Sequence, residues 1–285
     1  MKRLAFITSF LLCMLSAVAQ LNVRVYNLDE VFKAKPIDKL LFTVQYRTSF
    51  VNDTLAPENR TEETMMLKVG TKSSVYYSYS LFHMDSLVEA DKAAGASQEV
   101  ITEHLKQGGG SISYRIYKNY PAGKTTLLDQ LAASRFLCEE PAELPEWTLS
   151  SDTATILSYF CRKASCHFRG RDYEAWYTAE IPRSEGPWKL QGLPGLILKA
   201  SDSQKHYTFI CSGIEKSDKE EMIQFTGYGY EPVSRKDLQK IHKRYAADPI
   251  GYITETSPGM TITVTGEDGQ PYRPRNTPYN PIERE

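Results

Sequence analysis

Arg169, Arg171, Asp172 and Trp176 fall within eight residues and flank Gly170. If that glycine marks a hairpin turn, cross-strand pairing brings their side chains within reach of one another. Two chemistries follow. Arg with Asp makes an ion pair that fixes the turn, the ordinary use of such neighbours; Arg with Trp makes a clamp for an anionic or aromatic ligand. Asp172, Glu174 and Glu180, together with His167, offer a third possibility, the acid and base of a hydrolase or peptidase. That reading needs two of these side chains to converge within hydrogen-bond reach in a solvent-open cleft. Cys166 and His167 cannot be a nucleophile and its base on one strand, because successive side chains point to opposite faces.

The remaining reactive side chains are dispersed. His83, His104, His206 and His242 lack metal-ligand spacing, so no metal and no cofactor is expected. Gly123-Lys-Thr125 ends like a phosphate loop, but Lys118 stands where that motif needs its first glycine.

The elements that must position these groups are mostly strands. Val23–Tyr26, Leu40–Val51, Thr64–Gly70 and Ser74–Ser80 mix aromatic and β-branched residues with polar ones, as sheets with one wet face require. Met84–Ala94 and Gln98–Lys106 are rich in helix formers and predict a helical insertion before the glycines at 108–110. Strands resume at Ile112–Tyr117, Thr125–Leu131, Ser134–Glu139 and Thr155–Phe168. Arg169–Asp172 turns the chain, Tyr173–Ile181 runs back, and Leu196–Ala200 and Tyr207–Cys211 follow. Ser234 caps a last helix that Asp248-Pro249 stops. The expected fold is mainly β with some α: a single curved antiparallel sheet or partial barrel, a helical insertion and a C-terminal helix. One domain over 20–256 and an extended or partly disordered tail over 257–285 complete the chain.

Between the hairpin and the next strand lies Gly186-Pro-Trp-Lys-Leu-Gln-Gly-Leu-Pro-Gly-Leu-Ile-Leu198. Gly192 and Gly195 suit positive φ or close backbone approach, Pro194 stiffens the turn, and Leu196 and Ile197 enter the core. A structural turn is the first reading; Trp188 and Pro194 lining a binding groove is the second. Taken in order, Cys161-x-Lys163-Ala164, Arg169-Gly-Arg171-x-Tyr173-x-Ala175-Trp176-Tyr177, Ile181-Pro182, Gly186-Pro187-Trp188 and Gly192-Leu193-Pro194-Gly195-Leu196-Ile197 make one compound signature. It resembles the GLPGLI family, strongly over Trp147–Leu198 and also at the closing Tyr279-Asn-Pro-Ile-Glu283. The resemblance implies an envelope protein of Bacteroidota-type bacteria, encoded near outer-membrane receptors, with no established activity.

Lys2, Arg3 and the apolar stretch to Leu15, followed by Ala17-Val-Ala19, read as a secretory signal peptide over 1–19. No later segment is long and apolar enough to span a bilayer. Removing Lys2 and Arg3 leaves 32 basic against 35 acidic residues, a formal charge of −3, which argues against nucleic acid as a partner. Cys138, Cys161, Cys166 and Cys211 remain, an even count that in an oxidising compartment predicts two disulfides. The function expected is that of an exported protein, periplasmic or associated with the outer membrane. It would be a non-enzymatic binding or accessory component of a receptor, transport or surface-assembly system. An outer-membrane receptor, another envelope protein or an apolar ligand would be its partner. The alternatives are an envelope hydrolase or peptidase with an unrecognised site and a periplasmic carrier of an apolar ligand.

Overall fold

A computed structural model describes residues 33–107, 111–132, 134–217, 220–256 and 278–285. The signal peptide expected over 1–19, the strand expected at 23–26 and residues 257–277 of the expected tail lie outside the described residues.

The fold is mainly β, one large open curved sheet with a few short helices and, among the described residues, no closed barrel. In chain order the elements are β1 (Lys35–Val51), β2 (Arg60–Gly70), β3 (Ser74–Ser78), α1 (Tyr79–Ala93), α2 (Gln98–Gln107), β4 (Arg115–Lys118), β5 (Lys124–Leu131) and β6 (Ser134–Pro141). Then come β7 (Thr148–Ile156), β8 (Tyr159–Phe168), β9 (Arg171–Thr178), β10 (Leu196–Asp202), β11 (Tyr207–Lys216), β12 (Met222–Phe225), β13 (Glu231–Pro232), α3 (Arg235–Ala247) and α4 (Pro249–Thr256). The sheet runs β13-β6-β5-β4-β3-β2-β1-β11-β10-β9-β8-β7, with β12 paired to the start of β1. All pairings are antiparallel except β13 with β6.

Alternation along the strands assigns side chains to faces. Met65, Leu67 and Tyr76 enter the main core with Tyr46, Trp188, Phe209 and Leu196–Leu198. Their neighbours Met66, Val75 and Tyr77 enter a second cluster on the other face, against Leu81 and Phe82 of α1. A third cluster seats Leu238 of α3 and Tyr252 of α4 on Phe136 and Cys138 of β6.

Two local differences from the sequence reading have clear causes. The expected strand Thr155–Phe168 contains the turn of a hairpin: β7 ends at Ile156, Leu157 and Ser158 turn at φ 47° and 69°, and β8 fills the rest from Tyr159. Neither residue is the Asn or Gly that normally marks two successive positive φ values, so the turn left no signal. Pro249 ends α3 and also opens α4, where a first-turn proline loses no helical hydrogen bond.

The predicted disulfides are not formed: all four cysteines are free and buried. Cys161 and Cys166 share β8, where five residues of strand span roughly 16 Å, far beyond disulfide reach. Cys138 sits in the third cluster, apart from the other three in the main core. Cys161 and Cys211 point their thiols at Tyr159 O and Gly213 O, at 3.5 and 3.6 Å. Burial pushes Cys138 and Cys211 up to about 11 and Cys166 up to about 12.

Candidate functional site

The turn between β8 and β9 holds only Arg169 and Gly170, at φ 52° and 75°. Strand β9 therefore starts at Arg171, and alternation sends Arg171 inward while Asp172, Glu174 and Trp176 face out. The four residues that proximity in sequence had grouped thus divide between two environments. Arg does not pair with Asp172.

On the outer face, cross-strand register builds two parallel rows. Thr148, Ser165, Glu174, Ser201, Thr208, Ser49 and Glu62 stand side by side on seven successive strands from β7 to β2. Two residues along, Lys163, Trp176, Lys199, Ile210, Arg47 and Thr64 form the next row, so Trp176 lies between two lysines. Every member of both rows is exposed or half-buried. Lys163 pairs with Glu174 at 2.7 Å, tying one row to the other. The first row opens into a cleft of about 540 Å³ whose walls include Glu146, His167, Asp172, Ser203 and Lys205.

His167 and Asp172 are cross-strand partners in that cleft, Nδ1 to Oδ1 2.7 Å apart. The hydrogen bond that the His167 ring donates to Asp172 is the main force raising the His167 pKa above its ordinary 6.5, and the charges of Asp172 and Glu285 add to it. Two of the residues proposed for acid–base chemistry do converge. Their side chains are 59% and 71% exposed, so water surrounds the pair. Glu174 is taken by Lys163, and Glu180 accepts the Phe160 N–H at 2.8 Å, away from the cleft.

The inner side of the same hairpin is a polar well. Arg171 Nη1 meets Asp202 Oδ2 at 2.8 Å, with both side chains at most 2% exposed, and its guanidinium lies 4.7 Å from the Tyr207 ring centroid. Arg169 is ion-paired with Glu143 at 2.8 Å and Glu140 at 3.3 Å. Lys189 bridges Glu140 and Glu283 at 2.7 and 2.6 Å.

The glycine- and proline-rich segment joins the two sides. Gly195 packs so tightly on β9 that a Cβ would lie 2.0 Å from Thr178 O; Gly192 has φ 99°. Buried Lys118 pins the segment from β4, with Nζ 2.8 Å from Gly186 O and 2.6 Å from Glu185. The residue that disqualifies the phosphate loop is therefore a structural anchor. Tyr46 donates to Ile197 O at 2.6 Å, and burial raises its phenol pKa well above 10.0, so it stays protonated as a donor. Trp188 is held at φ 52°, a strain of roughly 1–2 kcal/mol. Its indole is 1% exposed, against Phe168 and Tyr173 with ring centroids at 5.8 and 6.0 Å. Burial of that size is worth about 3–5 kcal/mol and outweighs the strain. Trp188 is thus a core residue and lines no groove, while Pro194 is exposed at the turn.

Sequence reasoning missed Asp202, Lys189, Glu140 and the small polar row. Ser and Thr at alternate positions of successive strands were the available signal for the row. The buried partners left none. Among the described residues no group of three or more His, Cys, Asp and Glu could hold a metal ion. His104 pairs with Asp91 and His242 with Asp129, at 2.7 and 2.6 Å.

Residues 168–199, from the hairpin turn through the glycine- and proline-rich segment into β10, match a family model described as "Protein of unknown function (Porph_ging)". No curated protein matches the chain. The fold is similar to a solved structure of PNGF-II, with a TM-score of 0.50 and 13% identity over 70% of this chain and 32% of that chain. A second crystal form of PNGF-II gives a TM-score of 0.47 and 14% identity over the same shares. This chain thus corresponds to about a third of that longer protein's length.

Proposed function

We propose that this chain is an exported envelope protein of the GLPGLI type that acts by binding, as an accessory component of an outer-membrane receptor, transport or surface-assembly system. The observation that carries this reading is the outer face of β7–β11, β1 and β2. Seven strands present an unbroken polar row, five of its members Ser or Thr and two Glu, beside Trp176, Lys163, Lys199 and Arg47. Such a face is broad and offers hydroxyl, cationic and aromatic contacts together on an ordered strand framework. An apolar carrier would need an enclosed apolar cavity. The cleft's lining of Glu146, Ser165, His167, Asp172, Glu174 and Lys205 favours a polar partner instead. The test is capture of partners from envelope extract by the full chain and by the S165R/K199E variant, both changes at exposed positions. A discrete set of proteins or glycans identified by mass spectrometry should be held by the first and lost by the second. An identical set on both sinks the proposal.

A second reading is favoured by one observation, the 2.7 Å contact between His167 and Asp172 in a cleft that also holds Ser165, Ser201 and Ser203. In a hydrolase, His167 would take a serine proton while Asp172 held its ring. A fluorophosphonate probe separates the readings. Serine labelling that disappears in His167→Ala supports the hydrolase, and no labelling leaves binding.

A further inference from the structure

Residues 278–285 form no helix or strand, yet the fold reads them closely. Asn280, 9% exposed, donates through its amide nitrogen to Val51 O at 2.7 Å and accepts from Arg171 Nη2 at 2.8 Å. Its carbonyl accepts from Tyr207 Oη at 2.8 Å. Arg171 also donates to Pro281 O and, through Nε, to Ile282 O at 3.0 Å. Ile282 packs on the main core, and Glu283 pairs with Lys189 at 2.6 Å. Arg284 N donates to Arg169 O at 3.0 Å across Gly170, where a Cβ would stand 2.8 Å from Arg284 Cβ.

This is recognition of a particular peptide. Asp or Leu at 280 cannot donate to Val51 O, and Pro281 brings no N–H that would need a partner. A carboxylate at 283 completes the pairing of buried Lys189. The receiving groups are held independently of the segment: Arg171 by Asp202, Lys189 by Glu140, and Arg169 by Glu143 and Glu140. Glu283 also faces Arg169, Oε2 to Nη1 at 3.7 Å, an ion pair without a hydrogen bond, and among the described residues Arg169 Nε has no hydrogen-bond partner. Residues 278–285 belong to no helix or strand, and the 21 residues that join them to Thr256 set an upper limit of roughly 70 Å on their reach.

We infer that this groove is a peptide-recognition site for an extended Asn-Pro-Ile-Glu segment. The chain's own C-terminal end fills it, and the same segment of a second copy can replace that end. In cis the covalent connection favours the chain's own segment, so exchange between copies matters where the chain is locally concentrated. The site adjoins the outer-face cleft through Asp202 and through Glu285, 3.8 Å from His167, but neither Ser165 nor Lys199 contributes a contact to the segment, so S165R/K199E leaves the groove's own bonds in place.

Two experiments on the full chain test it. In the first, a specific protease site is placed within 257–277, the folded protein is cut, and a fluorescent peptide of residues 278–285 is added. The labelled peptide should replace the cut end at one per chain, and peptides carrying Asn280→Ala or Glu283→Gln should bind at least tenfold more weakly. In the second, two differently tagged full chains are held together at high concentration. One should capture the other, and excess peptide should abolish the capture. Failure of the peptide to exchange, unfolding of the chain when the cut end leaves, or absence of capture overturns the inference.

Discussion

Replacing Arg171 by Met removes the guanidinium and keeps most of the buried stem. Asp202, 2% exposed, then has its carboxylate in the protein interior with only the Tyr207 N–H at 2.8 Å. Removing one partner of a buried ion pair costs about 3–5 kcal/mol, because the remaining charge has lost both water and its counter-charge. Three hydrogen bonds to residues 280–282 disappear with it. Domain stabilities of about 5–15 kcal/mol leave room for such a loss without complete unfolding. In urea unfolding followed by tryptophan fluorescence, the midpoint should fall by roughly 1–2 M at a slope of about 3 kcal/mol/M. Asp202→Asn should cost a comparable amount by leaving Arg171 without its carboxylate. The double variant R171M/D202N should lose well under the sum, with a coupling of about 2 kcal/mol, since it leaves no uncompensated charge. A loss below about 1 kcal/mol for Arg171→Met, or strict additivity in the cycle, would refute the claim that this pair is dry and mutually dependent.

Gly195→Ala should cost at least about 1–3 kcal/mol in the same assay, because the new Cβ lands 2.0 Å from the Thr178 carbonyl oxygen, which is held in the β9 backbone. An unchanged midpoint would contradict that packing. For His167, the folded pKa is raised, so its pairing with Asp172 contributes stability that is complete below 6.5 and is lost as pH rises through the folded value. Ring-proton NMR should give a midpoint above 6.5 that Asp172→Asn moves downward; an unmoved midpoint removes Asp172 as the cause. The four thiols should resist a disulfide reagent at pH 8 in the native protein, since burial keeps Cys138, Cys166 and Cys211 protonated to about 11, 12 and 11. All four should react in unreduced denaturant, and a count of two or none would mean that disulfides form.

What the sequence made legible follows from the range of each interaction. Period-2 alternation is local, and it located β1, β2, β3 and β5 to within a few residues. Ser234 was recognisable as a helix cap because its hydroxyl bonds the Asp237 N–H three residues on, at 3.2 Å. The hairpin at Gly170 is legible in the sequence, but the side each flanking residue takes depends on the length of its turn. A two-residue turn puts Arg171 on a strand, and the next residue, Asp172, must then face the other way. The cysteine count misled for a related reason, since parity says nothing of position along β8 or membership of separate cores.

Pairs far apart in sequence left no mark. Arg171 meets Asp202 across 31 residues and Asn280 across 109, while Lys118 reaches Gly186 across 68. Each partner looks like an ordinary surface residue until the fold buries it. The outer rows are the opposite case: no member is unusual, and only the register of seven strands makes Thr148, Ser165, Glu174, Ser201, Thr208, Ser49 and Glu62 one surface. The glycine- and proline-rich segment acts on both. It fixes β10 against β9 through Gly195, which sets the outer register, and it carries Lys189 into the inner well. A substitution there should disturb the outer face and the peptide groove together, whereas S165R/K199E touches the first and Arg171→Met the second. That pattern of shared and separate effects is what a joint predicts and an active-site loop does not.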